Sequence, residues 1–390
     1  MEENQLNPDV LAVTPSALRQ FDHEISADPQ IVKLTLGEPD FNVPEHIQTA
    51  AIRSIKANQS HYPYYWGIQT LREAASTYYR DKFGYRYPAD QIICTVGATE
   101  GLSATFKALF HAGDAVLIPT PAYPVYQALA ILNHVTPILI DTTETGCVLT
   151  PQQVTAAIKV HPEMTIKGVV ITDPSNPTGV VYTEQQLADL VPTLRENQLW
   201  IISDEIYGEL TYGVAHYSLS RWLPDQTIII NGLSKSHAMT GWRIGFVFGP
   251  SNVIGQIAKV HQFMVTTPTS IVQYAAVEAL TNGQDDAAAM CKVYQGRRDY
   301  LKAALTELNM TFVAPMGAFY IFAKIPAAYH QDSFAFARQL ARDYHVGVMP
   351  GTPFGDSTAI RISYASSDEN LQALVAALAS LNRAKRVAAR

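Results

Sequence analysis

In Leu199-Trp-Ile-Ile-Ser-Asp-Glu-Ile-Tyr207 an apolar run ends on the carboxylate of Asp204. A short run with no polar alternation suits a strand buried on both faces, which is the condition of an interior strand in a parallel sheet. Comparable runs recur at 115–119, 168–172, 227–231 and 245–248. Between and before them lie stretches with helical period, among them 44–57, 68–82, 99–111 and 183–197. Strands and helices that alternate from about residue 45 to about 280 predict an α/β fold, a mostly parallel sheet covered by helices on both faces. The rhythm then changes. A helical stretch at 285–309, strands at 317–322 and 359–364 and a closing helix at 368–386 predict a smaller α+β domain, completed by the N-terminal residues 11–36. The expected division is an N-terminal arm and part of the small domain at 1–44, a large domain at 45–284 and a small C-terminal domain at 285–390.

A chain of 390 residues, 47% of them hydrophobic, has enough apolar surface for two cored domains. Its formal net charge of −7 argues against nucleic-acid binding, which needs clustered basic charge. The one basic cluster, 383–390, reads as a solvated helix end. Met1-Glu-Glu-Asn4 lacks the basic start and apolar core of a signal peptide, and no apolar run approaches the ~20 residues that span a bilayer, so the expectation is a cytoplasmic protein with no membrane partner. Cys94, Cys147 and Cys291 are far apart and show no metal-type spacing; Cys94, inside Ile92-Ile-Cys-Thr-Val96, reads as a small buried hydrophobe. The eleven histidines are scattered, and no metal site is expected.

Asp204 falls at the carboxyl end of its strand, where open α/β sheets bind ligands. A carboxylate there can salt-bridge a pyridinium nitrogen, or it can cap a following helix. Tyr207, three residues on, can reach a ring hydroxyl from the same side or be a core tyrosine. Lys235 lies in Asn231-Gly-Leu-Ser-Lys-Ser-His-Ala-Met-Thr-Gly-Trp-Arg-Ile-Gly245. Its amine can condense with an aldehyde, while Ser234 and Arg243 offer a hydroxyl and a guanidinium fork to a phosphate. The cofactor implied is pyridoxal phosphate; the other reading is a solvated surface lysine. Asn176, in Asp173-Pro-Ser-Asn-Pro-Thr-Gly179 after another strand, is either a turn residue or an amide donor to the phenolate of the same ring. Gly97-Ala-Thr99 opens a helix whose first amides could approach a phosphate. Arg361, in Ile360-Arg-Ile-Ser363, either faces solvent or receives a carboxylate bidentately.

Taken in order, Leu36-Gly-Glu-Pro-Asp-Phe41, Gly67-Ile-Gln-Thr-Leu-Arg-Glu-Ala74, Gly97-Ala-Thr99, Asn176-Pro-Thr-Gly179, Asp204-Glu-Ile-Tyr207, Ser234 to Arg243 around Lys235, and Arg361 make the chain resemble the class I and II aminotransferases of the first pyridoxal-phosphate fold type. The resemblance runs from about Leu11 to the C-terminus. Through Ser203-Asp-Glu-Ile-Tyr-Gly-Glu-Leu-Thr-Tyr212, His216-Tyr-Ser218 and the segment 225–237 it is strongest for a bacterial subgroup of N-acetyl-LL-diaminopimelate and aspartate-type enzymes. It implies a seven-stranded sheet and a homodimer. It also implies that Lys235 forms an internal imine and later acts as base, that Asp204 binds the ring nitrogen, and that Asn176 and Tyr207 hold the ring hydroxyl. Tyr123, in Pro121-Ala-Tyr-Pro-Val-Tyr126, would stack on the ring. Ala98, Thr99, Ser234 and Arg243 would grip the phosphate with Tyr62 of the neighbouring subunit, and Gly37, Asn176 and Arg361 would receive the substrate.

The activity so implied is a two-stage shuttle of an amino group between an L-amino acid and a 2-oxo acid. N-acetyl-LL-diaminopimelate, aspartate or aromatic amino acids would be donors, with 2-oxoglutarate as acceptor. No second arginine falls in a side-chain pocket motif, which leaves dicarboxylate preference open. A carbon–sulfur lyase or racemase shares the imine and the electron sink. A nonenzymatic sensor domain of a transcription factor is the reading from another class; the 36 residues before Gly37 are too few for an added DNA-binding domain.

Overall fold

The computed structural model describes residues 6–388, with side chains in the closing helix as far as residue 384. The Met1-Glu-Glu-Asn stretch and the end of the basic tail lie outside the described residues. After a two-residue strand β1 (Val32–Lys33), seven strands form one sheet: β2 (Ile92–Thr95), β3 (Asp114–Thr120), β4 (Thr136–Asp141), β5 (Thr165–Thr172), β6 (Trp200–Asp204), β7 (Thr227–Gly232) and β8 (Gly245–Phe248). Their spatial order is β2-β8-β7-β6-β5-β3-β4. β8 is antiparallel to both neighbours and the other pairs are parallel. The α/β expectation and its seven-stranded sheet hold.

Alternate residues of each strand point to opposite faces, and both faces are dry. One face collects Ile93, Val116, Val170, Ile202, Ile230 and Val247 under the helices Gly97–Leu109, Val125–Leu132 and Ser251–Val265. On the other, Ile92, Cys94, Ile229 and Phe246 meet helices Glu45–Lys56, Gln69–Phe83 and Ser270–Asn282, while Leu117, Val169 and Ile201 meet Glu184–Glu196. Cys94 is fully buried, and burial pushes its thiol up, so it behaves as the apolar residue expected. β4 has no counterpart among the expected strands. It is an edge strand whose exposed Leu139 and proline at 137 blur the apolar run.

β9 (Tyr320–Lys324), β11 (Met349–Pro350) and β12 (Ala359–Ser363) form an antiparallel sheet in the order β11-β12-β9, and β1 pairs in parallel with β10 (Val346–Gly347). β9 begins three residues later than the expected 317. Gly317 makes only an isolated bridge to Thr211, and the chain is still turning there. Leu18, Phe21 and Ile25 of the helix Ala17–Ile25 pack in one cluster with Ile321, Leu340, Ile362 and Leu374. Residues from the two chain ends therefore share one core.

Candidate active site

The parallel strands β3, β5, β6 and β7 all end on the same edge of the sheet, and a cleft of about 550 Å³ opens there, closed from above by the N-terminal segment and β12. Asp204, the last residue of β6, is buried in its wall. No helix follows it, so the capping alternative does not arise. Its Oδ2 accepts the Tyr126 hydroxyl at 2.7 Å and its Oδ1 the Ile206 amide at 3.4 Å. Burial raises the carboxyl to about 6, and the Tyr126 hydroxyl draws it back toward the charged form. Tyr126 itself accepts from the Thr172 hydroxyl at 2.7 Å. The Tyr207 hydroxyl meets that of Tyr320 at 2.7 Å.

Lys235 follows β7 and projects into the same space, half-buried rather than solvated, with its ammonium donating to the Gly37 carbonyl. Burial is the main cause that pushes this amine down to about 8; Glu38 and Asp204 oppose the shift, and the Arg361 and Arg243 charges add to it. Arg361 does not face solvent. It is 4% exposed, with its guanidinium 4.4 Å from the Tyr320 ring centre and 4.9 Å from that of Phe354. Nη1 donates to Asn176 Oδ1 at 2.9 Å and Nη2 to the Thr35 carbonyl at 2.6 Å. Its buried Nε has no partner among the described residues. An orphaned guanidinium donor in a polar cleft is a place for an anion, because an unmet buried N–H is costly.

At the other end, Ala98 and Thr99 occupy the first turn of the helix Gly97–Leu109, where backbone N–H groups lack helical partners. Gly97 has φ +73, and a Cβ built on it would collide with the Arg243 guanidinium. Only glycine leaves that basic cradle open. Ser234 is buried beside it and lines the cleft with Arg243. Tyr123 is half-buried, set edge-on to Tyr126 with ring centres 5.9 Å apart. Of the residues singled out from the sequence, all but Tyr62 line this one cleft. Tyr62 is 85% exposed and outside the lining. Tyr126, Tyr320, Thr35 and Glu38 join the site without having been singled out. Tyr126 carried a signal, lying three residues after Tyr123 at a helix start. Glu38 carried one too, standing after Gly37 in Leu36-Gly-Glu-Pro-Asp-Phe41, whereas Thr35 and Tyr320 reach the cleft from the N-terminal segment and β9 through packing alone.

Residues 29–378 match the family described as aminotransferase class I and II. The chain is 40% identical over 373 residues to a probable N-acetyl-LL-diaminopimelate aminotransferase of Bacillus subtilis, covering 95% of this chain and 94% of that protein. It is 36% identical to an aspartate aminotransferase of Geobacillus stearothermophilus, covering 94% and 96%. The solved aspartate aminotransferase from Thermus thermophilus with maleate superposes with a TM-score of 0.91 at 35% identity, covering 98% of this chain and 100% of that one. With the sheet, the strand-end carboxylate and the cleft lysine in the family's order, the chain belongs to the class I and II aminotransferases and is an enzyme of the transaminase type.

Proposed function

We propose that the cleft binds pyridoxal phosphate at Lys235 and moves an amino group from an L-amino acid to a 2-oxo acid in two half-reactions. One observation carries this reading: Asp204, Lys235 and Arg361, from β6, the segment after β7 and β12, converge on a single cleft with an amine pushed down to about 8. When bound, pyridoxal phosphate supplies an aldehyde carbon that takes up nitrogen and a protonated ring that draws electrons from the substrate α-carbon. The residues present fit it. Asp204 pairs with the ring nitrogen, Asn176 and Tyr207 with the ring hydroxyl, and Tyr123 covers a ring face. The cradle of Ala98, Thr99, Ser234 and Arg243 holds the phosphate, completed in a homodimer by Tyr62 of the other copy. Arg361 takes the substrate α-carboxylate on its fork beside Gly37 and Asn176. The Lys235 amine would take up and return the proton of the substrate α-carbon, a task suited to a base near working pH. Names of relatives support N-acetyl-LL-diaminopimelate, aspartate and prephenate-type acids as substrates to try first.

The test joins chemistry to site. Borohydride reduction of the holoenzyme followed by peptide mapping should place the pyridoxyl label on Lys235, and a panel of amino donors with 2-oxo acids should yield matched amino and oxo products. Label on another lysine would remove the site. Pyruvate and ammonia or sulfide without an acceptor would make the enzyme a lyase.

A further inference from the structure

Behind the phosphate cradle lies an ionisable pair to which the amino-transfer reading gives no part. Glu100 follows Thr99 in the helix Gly97–Leu109, and His261 belongs to the helix Ser251–Val265, which shares a core cluster with it. Both are buried, the imidazole completely. His261 Nδ1 stands 3.2 and 3.1 Å from the two Glu100 carboxyl oxygens, and Nε2 stands 2.8 Å from the Tyr65 carbonyl. A carbonyl only accepts, so Nε2 carries a proton and donates there. Taken out of water, a pair of this kind is often worth no more to stability than apolar side chains of the same volume. The reason for it lies in what it holds. Glu100 Oε2 accepts the Val96 amide at 3.1 Å, which fixes the residue before Gly97 and leaves the first-turn amides of Ala98 and Thr99 for an anion. Tyr65, three residues after Tyr62, belongs to a strip of chain tied at both ends: the His61 carbonyl accepts from Ser270 Oγ at 2.9 Å and the Trp66 carbonyl from the Cys94 amide at 2.9 Å. The imidazole fastens the stretch between them to the helix of the cradle.

We propose that Glu100 and His261 are positioning residues for the cofactor phosphate, a carboxyl–imidazole clamp that sets a chain's own phosphate-binding turn and, through the Tyr65 carbonyl, the tyrosine arm that it lends to the other copy. This rests on the amino-transfer reading, in which the phosphate lies on that turn and Tyr62 crosses to the neighbouring cradle. Neither residue lines the cleft, so each acts through the backbone that it holds. Binding groups kept within about 0.5 Å of their working geometry need supports that are themselves locked by hydrogen bonds and packing.

Affinity for two forms of the cofactor tests it. The full-length chain, freed of cofactor, is titrated with pyridoxal phosphate and with pyridoxal, which offers the same ring and aldehyde but no phosphate. The preference for pyridoxal phosphate should fall about tenfold in His261→Gln and in Glu100→Gln, as for one lost charge-assisted hydrogen bond, while pyridoxal binds within about twofold of wild type. A purely structural pair would weaken both ligands alike. Glu100→Gln keeps the side-chain shape and reads the clamp even if a histidine variant fails to fold. An asparagine amide nitrogen falls near the position of Nδ1 and a glutamine one near that of Nε2, so His261→Asn spares the Glu100 contact and drops the one to Tyr65. Its loss of preference should disappear once Tyr62→Ala is added, whereas that of His261→Gln should persist, because only coupled residues depart from additivity. Equal losses for both ligands, or no loss in either glutamine variant, overturn the clamp. An asparagine effect that survives Tyr62→Ala overturns the tie to the lent tyrosine. Failure of the amino-transfer reading looks different: the wild type itself would show no preference for pyridoxal phosphate over pyridoxal, and the clamp would fall with it.

Discussion

Tyr126 shows how a neutral side chain sets the working state of a charged one. Its hydroxyl points at Asp204 Oδ2 from 2.7 Å, in a wall dry enough to raise that carboxyl to about 6. A donor to a carboxylate favours the ionised form, so deleting it must raise the pKa further. The carboxylate is the form that can pair with a protonated ring, and the acid limb of kcat/KM reports its loss. Tyr126→Phe should therefore move that limb to higher pH and lower kcat/KM about tenfold at neutral pH, the size of one hydrogen bond to a charged group. A pH–rate profile across the acid range checks this, and a limb that stays in place would mean that the hydroxyl only fills space.

At the scale of the element, the ends of β5 and β6 are pinned by a buried cation. His216 places Nδ1 3.1 Å from Asp173 and Nε2 2.6 Å from Glu205, the residues that directly follow the two strands. Glu205 also accepts from Ser203 and Ser218 at 2.7 Å each and from Tyr85, and the Phe83 ring closes the imidazole edge. Burial alone would lower the imidazole, but the Glu205 and Asp173 carboxylates override it and hold it at about 10. A raised basic group adds stability in full below its ordinary value near 6.5 and loses it as pH climbs through about 10. His216→Gln should cost about 3–5 kcal/mol near neutral pH, because two buried carboxylates lose their cation. It should also flatten the fall in stability that the wild type shows between those limits. Urea unfolding of both proteins from pH 6 to 11 checks the difference, and parallel curves would refute it. The same strand ends explain what could be read from sequence. β5 to β7 were legible because an interior parallel strand is apolar without interruption, β8 because it too lies inside the sheet, and Asp204, Asn176 and Lys235 because each ends such a strand or follows one within a few residues. β4 was not, since an edge strand mixes buried and exposed positions. Tyr320 was not, because what puts it in the cleft is the packing of β9 against the large sheet's strand ends, which no local spacing records.

The whole molecule leaves one of its expected site residues pointing away. Tyr62 is 85% exposed beside Tyr64 at 53%, and Phe263 and Met264 at the end of the helix Ser251–Val265 are 89% and 48% exposed. In the proposed homodimer a second copy of the chain would cover such side chains. The proposed homodimer makes each phosphate cradle depend on Tyr62 of the other chain, and that dependence can be read by mixing. Lys235→Ala has no active amine but keeps Tyr62; Tyr62→Ala keeps the amine but withholds its tyrosine from the partner. In a heterodimer of the two, one site joins a native Lys235 to a native Tyr62 and the other lacks both. If subunits exchange at random, half the dimers are of this kind, and activity should recover to about a quarter of the wild-type value per site. Were Tyr62 to act within its own chain, no mixture could build a native site and none would exceed the average of the parents. Assay after unfolding and refolding the two variants together, beside each refolded alone, separates these outcomes.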